Sequence, residues 1–128
     1  MSDWPVHMTQ AHIDAYAEVS GDFNPLHVDP DFARTTPFGS TIAHGTISAA
    51  FITRYLVQDL GWQGRLRRLE YKLIAAVRPG DRLTCGAEPS NDAQGVAPDE
   101  EAYEVWCRNQ HDQAVTVGRA VVSRETAR

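Results

Sequence analysis

The chain has 128 residues, 42% of them hydrophobic and 23% charged, a composition that fits a single globular domain over 1–128 and excludes disordered, collagenous and disulfide-dense chains. Its 17 acidic against 12 basic side chains leave a formal net charge of −5, and no nucleic-acid partner is expected, because neutralising a phosphate backbone takes a surplus of Lys and Arg. No stretch approaches the ~18 consecutive apolar residues of a membrane span, and the first residues lack a leader's basic and apolar pattern; no membrane partner is expected, and a cytoplasmic location is.

Thr9 is placed to cap a first helix whose apolar positions Ile13, Tyr16 and Ala17 recur at helical spacing, with Gly21 as its stop. Asp22 then falls just past a helix end. Asn24-Pro25 interrupts any helix, since the residue before proline is pushed toward extended geometry, and Asp29-Pro30 restarts one with an Asx cap and a first-turn proline. The Thr-, Pro-, Gly- and Ser-rich segment Thr35 to Thr41 reads as a loop. From Gly45 to about Leu60 runs the one long helix, apolar on most faces until Gln58, which predicts a buried helix.

The second half changes period, with strand-like runs at Leu66 to Val77, Arg82 to Ala87, Ala102 to Arg108 and Ala114 to Ser123. Pro79-Gly80-Asp81 predicts a tight turn between the first two, and Pro89 to Glu101 a polar loop. Arg65, Arg67 and Arg68 form a local basic cluster best read as a solvated strand edge. Cys85 and Cys107 lie in apolar alternating runs without Cys-x-x-Cys spacing and read as buried thiols. A buried helix followed by about four antiparallel strands predicts an α+β architecture, a sheet curled around a central helix. Such a sheet keeps an exposed edge, so pairing with a second copy is expected.

The candidate chemistry lies in Ser20 to His27, Ser-Gly-Asp-Phe-Asn-Pro-Leu-His. On an unbroken helix residues 22 and 27 point away from each other, but the Asn24-Pro25 break lets a carboxylate and an imidazole converge, with Asn24 adding a neutral donor and acceptor. Such a pair suits proton transfer to and from water, because imidazole titrates near neutrality and a carboxylate can orient or share its proton. By spacing alone, Asp22 serves equally well as a turn former and His27 as the start of the next segment.

The segment Ser20 to Thr46, from Ser-Gly-Asp-Phe-Asn-Pro-Leu-His-Val-Asp-Pro to Phe-Gly-Ser-Thr-Ile-Ala-His-Gly-Thr, resembles the signature of the MaoC-like (R)-specific enoyl-CoA hydratases. The resemblance extends more weakly to Val77-Arg-Pro-Gly-Asp81, with Ala76 where the family often has proline. It implies a hotdog fold, a homodimer, an acyl-CoA substrate and no cofactor beyond the coenzyme A carried by that substrate. It implies that Asp22 and His27 activate one water, that Asn24 orients the pair or the water, and that the Gly45 N–H binds the thioester oxygen. A helix N-terminus suits that last role, since it presents unpaired N–H groups and a positive dipole end, and glycine admits a close carbonyl. Phe23, Ile42, His44 and Thr53 are the candidate substrate-binding residues, with His44 expected chiefly to shape the loop. His7, His12 and His111 read as surface histidines.

Two other functions use the same fold: an acyl-CoA thioesterase, which has no need of the Asp-x-Asn-Pro-Leu-His arrangement, and a non-catalytic partner subunit, which would be expected to lose Asp22 or His27. Zinc on Asp22, His27 and His44 is disfavoured because the tight His or Cys spacing of metal sites is missing, and no metal is expected.

Overall fold

The computed structural model describes residues 6–59 and 65–123. Its elements run β1 (Val6–His7), α1 (Gln10–Ser20), α2 (Pro25–Val28), α3 (Pro30–Ala33), α4 (Thr46–Arg54) with a turn of π-helix over Tyr55–Asp59, then β2 (Arg65–Leu73), β3 (Arg82–Pro89), β4 (Glu100–Arg108) and β5 (Ala114–Ser123). The strands form one antiparallel sheet in the order β1-β3-β4-β5-β2. Helix α4 lies against it over β3 and β4. Met8, Ile13, Ile47, Ile52, Leu56, Leu83, Val105 and Val115 fill the space between, and removing such side chains from water is the main drive for the assembly.

The local signals act as their chemistry dictates. Thr9 accepts from the His12 N–H and caps α1, and Gly21 ends it in the left-handed conformation at φ 76° with its N–H on the Ala17 carbonyl. Asn24 caps α2 by accepting from the Leu26 N–H, and Asp29 caps α3 by accepting from Asp31 and Phe32. The turn at Pro79-Gly80-Asp81 closes with the Asp81 N–H on the Arg78 carbonyl at 3.0 Å, and Gly80 takes φ 96°.

Three expectations are corrected. The long α-helix ends at Arg54 and continues as the π-turn, while Leu60 lies outside the described residues. This helix is also buried on one side only: Ile47, Ser48 and Ile52 face inward, while Ala50 and Val57 are exposed. The first long strand stops at Leu73 rather than Val77, because the N–H groups of Ile74 and Ala75 both converge on the Val115 carbonyl and the ladder cannot continue. Residues 74–77 instead cross toward the start of α4, where the Val77 carbonyl accepts from the Ala43 N–H at 2.7 Å. The two-residue strand β1, paired with Leu83 and Arg82, is an addition to the four expected. The arginine cluster lies on the edge strand β2, where Arg67 pairs with Glu100 and Arg68 with Glu70. None of the helices among the described residues is long and apolar enough to cross a membrane.

Candidate active site

The break between α1 and α2 sets the site. His27, the third residue of α2, is fixed at its backbone and its ring. Its N–H donates to the Asn24 carbonyl at 2.8 Å, its carbonyl accepts from Gln10 Nε2 at 2.9 Å, and its Nδ1 donates to the Ile42 carbonyl at 2.8 Å. A carbonyl can only accept, so Nδ1 carries the proton and, in the neutral ring, Nε2 keeps its lone pair. Nε2 faces Asp22 Oδ2 at 3.8 Å. That is too long for a direct hydrogen bond, and a water about 2.8 Å from each atom would sit at the apex of a triangle with them. The His27 side chain is 13% exposed and that of Asp22 53%, so the pair bridges the interior and the solvent.

Behind His27 lies His44, 3% exposed, its ring stacked on that of His27 with centroids 4.0 Å apart. His44 Nε2 donates to the Asp22 backbone carbonyl at 2.9 Å, so one buried ring braces both members of the pair. Tyr16 packs on the far side of His44 and shares a 2.6 Å hydrogen bond with Thr46 Oγ1, tying α1 to the start of α4.

A cavity of about 300 Å³ opens between the loop before α4 and residues 74–77, with His27, Ile42, His44 and Gly45 on one side and Leu73 and Ile74 on another. Its wall is mainly apolar. Gly45 is the N-cap of α4, where backbone N–H groups have no acceptor within the helix. A Cβ on Gly45 would meet the tip of the Leu73 side chain, so any larger residue here displaces Leu73. Ser48, one turn on and 2% exposed, bonds the Gly45 carbonyl at 2.9 Å and Thr116 Oγ1 at 2.8 Å. It fastens the start of the helix to β5.

The eight candidate residues therefore divide. Asp22, His27, His44, Ile42 and Gly45 are gathered around the cavity or its rim, Ile42 holding His27 through its carbonyl. Asn24 is exposed, its side-chain oxygen is engaged as the cap of α2, and its carbonyl accepts from the His27 N–H. Phe23 is 53% exposed and is not part of the cavity wall. Thr53 sits two turns beyond Gly45 with its hydroxyl donating to the Ala49 carbonyl, away from the wall. Gln10 and Ser48 are neighbours of the site that the sequence did not single out. Ser48 was findable from its place one helical turn after Gly45, whereas nothing local marks Gln10, whose amide joins His27, Asp14 and Thr41. Ligand atoms of Asp22, His27 and His44 lie within 4.8 Å of one another; the His44 Nε2–H is engaged by the Asp22 carbonyl, which leaves Nδ1 as the ring nitrogen with a lone pair.

Residues 2–115 match the model of the MaoC like domain, and the chain belongs to that family. It is 41% identical over 81 residues to the (R)-specific enoyl-CoA hydratase of Aeromonas caviae, an overlap of 61% of this chain and 59% of that one. The chain thus spans less than two thirds of that relative. It is 30% identical over 119 residues to the 3-hydroxybutyryl-CoA dehydratase of Methylorubrum extorquens, covering 90% of this chain and 72% of that one. Among solved structures, the (R)-hydratase from A. caviae involved in PHA biosynthesis superposes with a TM-score of 0.84 at 28% identity, over 94% of this chain and 91% of that one. The fold is accordingly the hotdog fold, a curled antiparallel sheet with a helix against it.

Proposed function

We propose that this protein hydrates trans-2-enoyl-CoA to (R)-3-hydroxyacyl-CoA and catalyses the reverse dehydration. The observation that carries the reading is His27 Nε2 facing Asp22 Oδ2 at 3.8 Å, with His27 Nδ1 held by the Ile42 carbonyl, beside a helix N-terminus in an apolar cavity. Water held between the two side chains gives up a proton to the pair as its oxygen bonds to C3. The double-bond electrons move toward the thioester, whose oxygen takes up negative charge against the Gly45 N–H. Such a preorganised donor is worth ~3 to 4 kcal/mol at comparable oxyanion sites. The pair then returns a proton to C2, so one water is added in all. Because one pair handles both protons, hydrogen and hydroxyl arrive on the same face of the double bond.

The substrate is a coenzyme A thioester with no further cofactor, and the cavity volume, near the small end of ligand pockets, favours short acyl chains. Two copies are expected to associate, since β2 is the outermost strand of the sheet among the described residues and Leu73 and Ile74 beside the cavity are about half exposed.

The test is the loss of conjugated enoyl absorbance with crotonyl-CoA and longer trans-2-enoyl-CoAs, with chiral analysis of the product. Asp22→Asn and His27→Ala are each expected to lower kcat by about 10²- to 10⁴-fold. Near-full turnover in both variants, or release of free CoA thiol without a hydroxyacyl product, defeats the reading.

A further inference from the structure

Cys85 on β3 and Cys107 on β4 are direct cross-strand partners, and their sulfurs lie 2.8 Å apart although both are free thiols. Opposed residues of an antiparallel pair have Cα atoms about 4.5 to 5.5 Å apart, within the span a disulfide bridges. The register therefore places the two cysteines within the reach of a disulfide. Cys107 is fully buried beneath α4, its Sγ 3.9 Å from the Ser48 carbonyl, while Cys85 is partly accessible. The two residues are thus unequal, Cys85 partly exposed and Cys107 enclosed.

We propose that Cys85 and Cys107 form a reversible dithiol–disulfide pair, oxidised by hydroperoxides, that staples β3 to β4 beneath the helix of the active site. In the first step the Cys85 thiolate attacks a peroxide oxygen. The O–O bond breaks, hydroxide leaves and takes up a proton as water, and Cys85 becomes a sulfenic acid. In the second step the Cys107 sulfur attacks the Cys85 sulfur, the S–O bond breaks, and the hydroxyl leaves with the Cys107 proton as a second water. Two thiols supply two electrons and one hydroperoxide accepts them. The order of attack follows from accessibility. It agrees with the strong upward push on the Cys107 thiol, which comes first from its hydrogen bond to Cys85, then from burial and from repulsion by a Cys85 thiolate.

The experiment treats the folded wild-type protein with hydrogen peroxide, quenches it, alkylates free thiols under denaturing conditions and maps peptides without reduction. The expected product is a linked Cys85–Cys107 peptide lighter by two hydrogens, with neither thiol alkylated, and dithiothreitol restores both. Closing a loop between residues 22 positions apart is expected to raise the Tm by roughly 10 °C. Cys107→Ala is expected to halt at the Cys85 sulfenic acid, trapped by dimedone, and if that variant does not fold the wild-type map decides alone. Two alkylated thiols after oxidation, disulfides only between separate copies, or a Cys85 sulfinic acid beside an untouched Cys107 would overturn the proposal.

Discussion

The ring of His44 lies against that of His27 with their planes 27° from parallel. Through its Nε2 the same ring holds the Asp22 backbone at 2.9 Å. His44 thus touches both the His27 ring and the Asp22 backbone, which makes it a positioning residue for the proposed acid/base pair. His44→Phe keeps a stacked ring and loses the donor, while His44→Ala loses both. Since misplacing reacting groups by about 1 Å costs on the order of 10²-fold, kcat for enoyl hydration should fall about tenfold in the first and about a hundredfold in the second, with smaller changes in KM. Stopped-flow turnover of both variants at matched folding, with kcat near that of the parent in each, would show that the pair is held by other means.

Asn24 separates two roles that one amide can play. If its task is to cap α2 and hold His27 through the backbone, only an acceptor oxygen is needed, and Asn24→Asp should keep most of the turnover. Asn24→Ala should lose about 1 kcal/mol of stability together with much of the activity. Should Asn24→Asp prove as inactive as the alanine variant, the amide N–H₂ has a direct part in binding water or substrate. Thermal melts beside the rate measurements distinguish the two.

The elements that the sequence displayed most clearly are those whose signals are local. Thr9, Gly21 and Asp29 act within three or four residues of themselves, and each helix boundary they mark is where the structure has it, whereas Asn24-Pro25, read only as a break, also opens the four-residue α2 with Asn24 as its cap. The convergence of Asp22 and His27 was permitted, though not required, by the break between them. What the sequence concealed depends on contacts distant along the chain. The end of β2 at Leu73 is set by a carbonyl on β5, and the grip on His27 comes from Gln10 and Ile42, 17 and 15 residues away. Thr53 carries a hydroxyl at a suggestive place on the helix, but a threonine in a helix can satisfy itself on the preceding turn, as this one does on Ala49. The buried polar contact with the site helix instead belongs to Ser48.

Leu73 lines one side of the cavity proposed to hold the acyl chain and is 52% exposed. Shortening it removes wall without emptying a core position, so Leu73→Ala should fold normally and accept longer chains. The ratio of kcat/KM for an eight-carbon over a four-carbon enoyl-CoA is expected to rise about tenfold, the scale on which a hydrophobic pocket discriminates by a methylene or two. An unchanged ratio would place the acyl tail elsewhere.

Two glycines face the same nominal obstruction with different consequences. A Cβ on Gly118 would stand 2.2 Å from the Glu70 carbonyl oxygen and 3.0 Å from Tyr71 Cα, both backbone atoms of the neighbouring strand. A Cβ on Gly45 would meet the tip of Leu73 at 2.2 Å, and that half-exposed side chain can swing aside. Gly45 also has ordinary helical dihedrals, φ −59° and ψ −36°, so alanine brings no backbone strain. Gly118→Ala should therefore destabilise the protein by about 1 to 3 kcal/mol and leave kcat near normal below its Tm. Gly45→Ala should change stability by no more than about 0.5 kcal/mol yet lose most of its turnover, because the new methyl group occupies the approach to the helix N–H. Chemical denaturation and enoyl-CoA turnover measured on the same two preparations check this opposition, and a Gly45→Ala protein that is both stable and fully active would remove the helix end from the reaction.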